Sequence, residues 1–163
     1  ESDSDDRNAK QAQGAWISRL NIPSQNIHEF PAKSANLNLD EAASLFEDQF
    51  ASEGISFDLM LMGMGPDGHV ASLFPGQESL SGRENVIAVH NSPKPPPQRL
   101  SFTYETINKA KQIWFTVAGA DKADAVSVVF GDTPESLPAG RISGKEKTVW
   151  YIDQTAGNLV WGC

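Results

Sequence analysis

Phe57-Asp58-Leu59-Met60-Leu61-Met62-Gly63-Met64-Gly65-Pro66-Asp67-Gly68-His69 is the stretch that decides the fold. Residues 57–62 are almost wholly apolar with one charge, Asp58, the pattern of a short strand buried on both faces of a sheet. Three glycines follow directly. Open α/β sheets bind ligands outside the carboxyl ends of their strands, and glycines there let backbone amides come close because no Cβ atoms stand in the way. Asp67 and His69, two residues apart, can bring a carboxylate to an imidazole. A carboxylate orients the ring and stabilises its protonated form, which makes a histidine a useful base near neutral pH. For a lone pair of this kind, a turn aspartate and a histidine capping a short helix would be the simpler reading. The flanking glycines at a strand end reverse that preference.

Gly63, Gly65 and Gly68 also satisfy G-x-G-x-x-G, the dinucleotide-binding turn. Three features count against a nucleotide. Pro66 sits where the turn should hand over to a long helix. Only Val70-Ala71-Ser72-Leu73-Phe74 separates His69 from Pro75-Gly76, little more than one helical turn. The next strand, at Val86 to Val89, lacks the acidic residue that would hold a ribose.

Outward from this loop the chain alternates between strand and helix patterns. A helix capped by Asp6 is predicted through Arg19, with Ala9, Ala12, Trp16 and Leu20 on one face and Pro23 as its stop. Asn38 and Glu41 have capping-box spacing ahead of a helix whose stripe is Leu39, Ala42, Leu45, Phe46 and Phe50. Further strands are predicted at 86–89, 99–104, 112–117 and 148–152, with helices near 105–111 and over 121–130, the last ended by Gly131. Residues 132–147 read as a loop. The whole, 1–163, is expected to be a single α/β domain with a largely parallel sheet. The four tryptophans are expected in the core or at its edge.

Composition narrows the function. The net charge of −8 is the wrong balance for a nucleic-acid binder. No apolar run approaches a membrane span. One cysteine, Cys163, excludes an internal disulfide and suits a reducing cytosol. With three histidines besides, no structural zinc site is expected. An acidic protein that binds an anionic metabolite needs a local cationic cluster against its own field. Lys122, in the turn Gly119-Ala120-Asp121-Lys122-Ala123 that opens a helix, is one candidate, with Asp121 or a bound phosphate as its counter-anion. Ser92-Pro93-Lys94-Pro95-Pro96-Pro97-Gln98-Arg99 is a stiff stretch. As a proline-rich ligand for another protein it has its basic residue one position late. As a rigid loop between strands it would hold Lys94 and Arg99 in place. His28 and His90 show no partner in the sequence.

Together, residues 57–69, Ser72-Leu73-Phe74-Pro75, 92–99 and 119–123 closely resemble the 6-phosphogluconolactonases, within the superfamily that also holds glucosamine-6-phosphate deaminases. The resemblance implies an open Rossmann-like α/β fold, its largely parallel sheet flanked by helices. It implies a cytoplasmic enzyme of the pentose phosphate pathway that hydrolyses 6-phosphogluconolactone without a cofactor. His69 would be the general base, with Lys94, Arg99 and Lys122 near the phosphate and Gly63, Gly65 and Gly68 lining the site. The N-terminal strands of the family fold, its glycine-serine phosphate loop and an Asp-Glu-Arg motif are missing ahead of the acidic opening Glu1–Asp6. The chain is therefore expected to be the C-terminal portion of a longer domain, with the missing segment possible as a separate chain. Arg7 and Asn8, just after the position of that motif, are weaker site candidates. Two rivals stand beside lactone hydrolysis: an amino-sugar-phosphate deaminase, and a non-catalytic module binding sugar phosphates or proteins. The deaminases carry an acid five positions after the histidine, where this chain has Phe74.

Overall fold

The computed structural model describes residues 5, 7–32, 36–77 and 84–162. Asp6, the expected cap of the first helix, lies outside them, as do Glu1 to Ser4 and Cys163. Three parallel strands form the central sheet: β1 (Leu59–Met62), β4 (Gln112–Val117) and β5 (Lys147–Ile152), in the order β1-β4-β5. In register, Met62 lies beside Phe115 and Phe115 beside Trp150. These rows point to one face, where Phe115 and Trp150 stack at 3.8 Å. Helices α3 (Tyr104–Asn108), α4 (Ala123–Val129) and α5 (Gln154–Trp161) add Ile107, Ala125, Val126 and Ala156 to that same core.

Helix α2 (Leu39–Glu53) begins with the capping box expected, Asn38 and Glu41 each accepting the other's backbone N–H at 3.0 and 2.9 Å. Gly54 ends it in the left-handed conformation. Its Phe46 and Phe50 build a second cluster with Val86, against the antiparallel pair β2 (Val86–Val89) and β3 (Arg99–Phe102). Glu47 fastens helix to strand, accepting the N–H groups of Asn85 and Val86 at 2.8 and 2.9 Å.

Several expectations are corrected. β1 is not buried on both faces: Leu59 is 40% and Leu61 68% exposed. Among the described residues it stands at one end of the sheet, and the core it helps build lies on the other face, with Met60 and Met62. Helix α1 (Asn8–Ala15) stops well short of Arg19, because Gly14 weakens its last turn and Trp16 leaves helical geometry; a 3₁₀ turn over Ile17–Arg19 follows. No residue of α1 is buried, and Trp16 is 50% exposed and outside both core clusters, whereas Trp161, 54% exposed, packs on Phe130 at the edge of the core beside Trp150. Leu45 also turns outward from α2. β2 and β3 form a separate sheet rather than extending the parallel one. The 132–147 segment holds two 3₁₀ turns, Pro134–Ser136 and Pro138–Arg141. Helix α5 was not expected, although Asp153 caps it and Gly162 ends it in left-handed geometry.

Among the described residues, no helix is long and apolar enough to cross a membrane. The contrast between the two sheet faces is measurable by urea unfolding. Phe115→Ala should cost about 3–5 kcal/mol, the usual range for truncating a buried aromatic, whereas Leu61→Ala should cost under about 1 kcal/mol.

Candidate active site at the carboxyl end of the parallel sheet

The loop leaving β1 is closed by two backbone bonds, Gly65 N–H to the His69 carbonyl and Gly68 N–H to the Gly65 carbonyl, both 2.9 Å. Each glycine has a different reason to be there. A Cβ on Gly65 would collide with Nδ1 of His69, so the imidazole lies against bare main chain. Gly68 has φ 76°, and a Cβ there would come within 2.7 Å of Leu137. Its carbonyl accepts the N–H of Ala139 at 3.0 Å, which binds the loop to the second 3₁₀ turn. Gly63 alone faces open space.

Within this frame Nδ1 of His69 meets Oδ1 of Asp67 at 2.6 Å. The ammonium of Lys94 donates to the same oxygen at 3.2 Å. Partial burial works to raise the Asp67 pKa, but the hydrogen bonds from His69 and Lys94, with the charge of His69, outweigh it and hold the group at about 2. Asp67 is therefore a carboxylate at any neutral pH, an acceptor only, and Nδ1 carries the ring proton. In the neutral ring this tautomer puts the lone pair on Nε2.

The residues after His69 form a tight turn in place of a short helix. Val70 and Leu73 exchange backbone hydrogen bonds, and Ala71 takes the left-handed conformation at φ 50°. This reversal brings the Phe74 ring back onto the imidazole, with centroids 4.5 Å apart.

The proline-rich stretch is an organised loop. Ser92 N–H donates to the Pro97 carbonyl at 2.8 Å, and Ser92 Oγ to the Lys94 carbonyl at 2.7 Å. Arg99 spans it from within. Its Nε donates to the carbonyl of Pro96, and its Nη2 to those of Lys94 and Pro95, at 2.8–3.0 Å. Lys94 is thus presented to Asp67 on a loop that Arg99 holds. At the end of the neighbouring strand β4, Nζ of Lys122 pairs with Oδ2 of Asp121 at 2.8 Å, on a 3₁₀ turn (Ala120–Lys122) ahead of α4. The hydrogen bond from Lys122 lowers the Asp121 pKa, and the charge of Lys94 adds to it, so both lysines act on one neighbourhood. Asp153, at the end of β5, accepts the N–H of Gly119 at 3.1 Å and fixes this turn to the start of α5.

A family model described as "Glucosamine-6-phosphate isomerases/6-phosphogluconolactonase" matches residues 1–150. The chain belongs to that family. Among its relatives are the 6-phosphogluconolactonases of Mycobacterium leprae, 39% identical over 98% of this chain and 69% of that protein, and of Mycobacterium tuberculosis, 38% identical over 94% and 66%. The crystal structure of the 6-phosphogluconolactonase from Thermotoga maritima superposes with a TM-score of 0.82 at 34% identity, covering 93% of this chain and 67% of that one. The chain spans about two thirds of the length of these relatives.

In this family member Arg7 donates to the Phe30 carbonyl at 2.8 Å and lies 3.5 Å from Glu29, beside the start of α1, whose first residue is Asn8. His28 and His90 do have partners, Glu53 at 3.5 Å and Asp40 at 2.9 Å. Both pairs lie on the surface, outside the glycine loop. Among the described residues, no group of three or more His, Cys, Asp or Glu side chains could hold a metal ion. Asp153 is a further residue of this end of the sheet, and its position after an apolar strand and three residues before the N–H it caps is an ordinary capping signal. The contacts of Phe74 and Arg99 had no local signal at all.

Two outcomes follow from this geometry. Gly65→Ala should leave the melting temperature within a few degrees, because the atoms a Cβ would meet belong to the His69 and Asp67 side chains and not to backbone, yet displace the imidazole and lower turnover by about 10²-fold. The Asp67 carboxylate has a folded pKa of about 2 against an ordinary 3.8, so its pairing stabilises the fold fully above about pH 4 and fades as pH falls towards 2. Urea unfolding of the native chain and of Asp67→Asn should therefore converge over that acid range.

Proposed function

We propose that this site hydrolyses 6-phospho-D-glucono-1,5-lactone to 6-phosphogluconate, a cytoplasmic step of the pentose phosphate pathway. The observation that carries the reading is the 2.6 Å contact between His69 Nδ1 and Asp67 Oδ1, which leaves Nε2 as the basic nitrogen. It stands at the carboxyl end of a parallel sheet, where α/β folds bind ligands, with lysines on two adjoining loops. The names of the relatives at 38–39% identity support the choice of lactone.

In the reaction, Nε2 takes a proton from water as the water oxygen attacks the lactone carbonyl. The charge that develops on the carbonyl oxygen is met by backbone amides of the glycine loop, on its open side at Gly63. The bond from the carbonyl carbon to the ring oxygen then breaks, and the imidazolium returns its proton to that oxygen. Asp67 keeps the ring in the required tautomer and offsets the transient positive charge. Lys94, Arg99 and Lys122 form the cationic side that receives the phosphate. Binding energy gained there, remote from the reacting carbon, serves orientation. The ammonium groups of Lys94 and Lys122 rest on Asp67 and Asp121, which keeps them charged and in place within an acidic protein. Substrate phosphate would take over from these carboxylates.

His69→Ala, assayed on the longest natural form of the protein that carries this chain, should lower lactone hydrolysis by about 10²-fold or more. Near-normal turnover by that variant would sink the assignment. Phe74 stands against His69 where a deaminase needs an acid, so glucosamine 6-phosphate should yield no ammonia.

A further inference from the structure

Phe74 is 3% exposed and carries no reactive group, yet it is the aromatic neighbour of the histidine. Its ring lies 4.5 Å from the imidazole, centroid to centroid, with the planes 28° apart. The guanidinium of Arg99 lies over the same ring at 5.6 Å. The imidazole of His69 is thus bounded on three counts: by main chain at Gly65, by the carboxylate at Nδ1 and by the face of Phe74. The hydrogen bond at Nδ1 fixes one point of the ring but leaves rotation about that contact open. A flat, buried surface against the ring removes that freedom, and stacking geometry of this kind has a preferred angle.

We propose that Phe74 is a positioning residue, which sets the plane of the His69 ring and so the direction of the Nε2 lone pair. Through Arg99 it also ties that plane to the loop carrying Lys94, since one guanidinium touches Phe74 and holds the carbonyls of Lys94, Pro95 and Pro96. The tight turn at Val70–Leu73, with Ala71 in the left-handed region, is what folds Phe74 back to this place. A positively charged loop that receives an anion and a base that receives a proton are thereby held in fixed relation by a ring that does neither.

The inference rests on the lactonase reading for its kinetic test, but it has a structural test that does not. Phe74→Leu is close in volume and has no flat face; Phe74→Tyr keeps the face, and Phe74 borders a small cleft that Tyr104, Ser136 and Arg141 also line. Phe74→Leu should lower kcat about 10-fold with KM changed less than about two-fold, and Phe74→Tyr should recover most of the loss. In NMR spectra the Cε1–H signal of His69 should carry a ring-current shift that Phe74→Leu abolishes and Phe74→Tyr retains, whatever the substrate. Full kcat in Phe74→Leu would overturn the proposal, as would equal losses in both variants that track their melting temperatures, a rise in KM alone, or an unchanged His69 signal. Absence of lactone hydrolysis in the unsubstituted protein, with the ring-current result intact, would overturn the functional reading and leave Phe74 as the holder of the imidazole.

Discussion

Because Gly65 has no Cβ, the imidazole of His69 can rest against the main chain and reach the Asp67 carboxylate at 2.6 Å. That one vacancy organises the loop around it. Gly65 also donates to the His69 carbonyl and accepts from Gly68, so the backbone that makes room for the ring is the backbone that closes the turn. The pair is held by three different kinds of contact: a hydrogen bond, a missing side chain and an aromatic face. Removing any one leaves the other two to tolerate motion, and an ångström of motion is enough to matter for proton transfer.

Charge is arranged with the same economy. A chain with net charge −8 gathers Lys94 and Lys122 at one end of its sheet, each seated on a carboxylate of its own neighbourhood. Asp67 takes hydrogen bonds from His69 and Lys94 through one oxygen, which is why its pKa falls to about 2 although partial burial works the other way. Arg99 contributes mainly through the loop it braces. Positive charge at this site is therefore prepared in advance, with both lysines seated on carboxylates and the guanidinium on backbone carbonyls.

The sheet supports the site from below and is itself one-sided. Met62, Phe115 and Trp150 face a core closed by α3, α4 and α5, whereas Leu59 and Leu61 on the other face stand largely in solvent. Parallel sheets are ordinarily covered on both sides. The relatives are about half as long again as this chain, so a third of their length lies outside the comparison.

Much was legible in the sequence alone. The capping box at Asn38 and Glu41, the strands read at 57–62, 86–89 and 112–117 (the first observed at 59–62), and the pairing of Asp67 with His69 all depend on residues a few positions apart, where local geometry decides. The errors share one cause as well. An apolar strand does not reveal how many of its faces will be covered, so Leu61 looked like core, and the stripe on α1 did not reveal that none of its residues would be fully buried. Only the tertiary structure placed Lys94 on the oxygen that holds His69, laid Phe74 over that ring and turned Arg99 inward across its own loop. The first two contacts join segments separated by 27 residues of chain or by the turn at 70–73, and no spacing rule reaches across either; the third spans only three to five residues, but depends on the folded path of its loop. The sequence by itself determined the chemistry on offer at the strand end; its orientation belongs to the fold, because orientation depends on neighbours that the chain brings together only by folding.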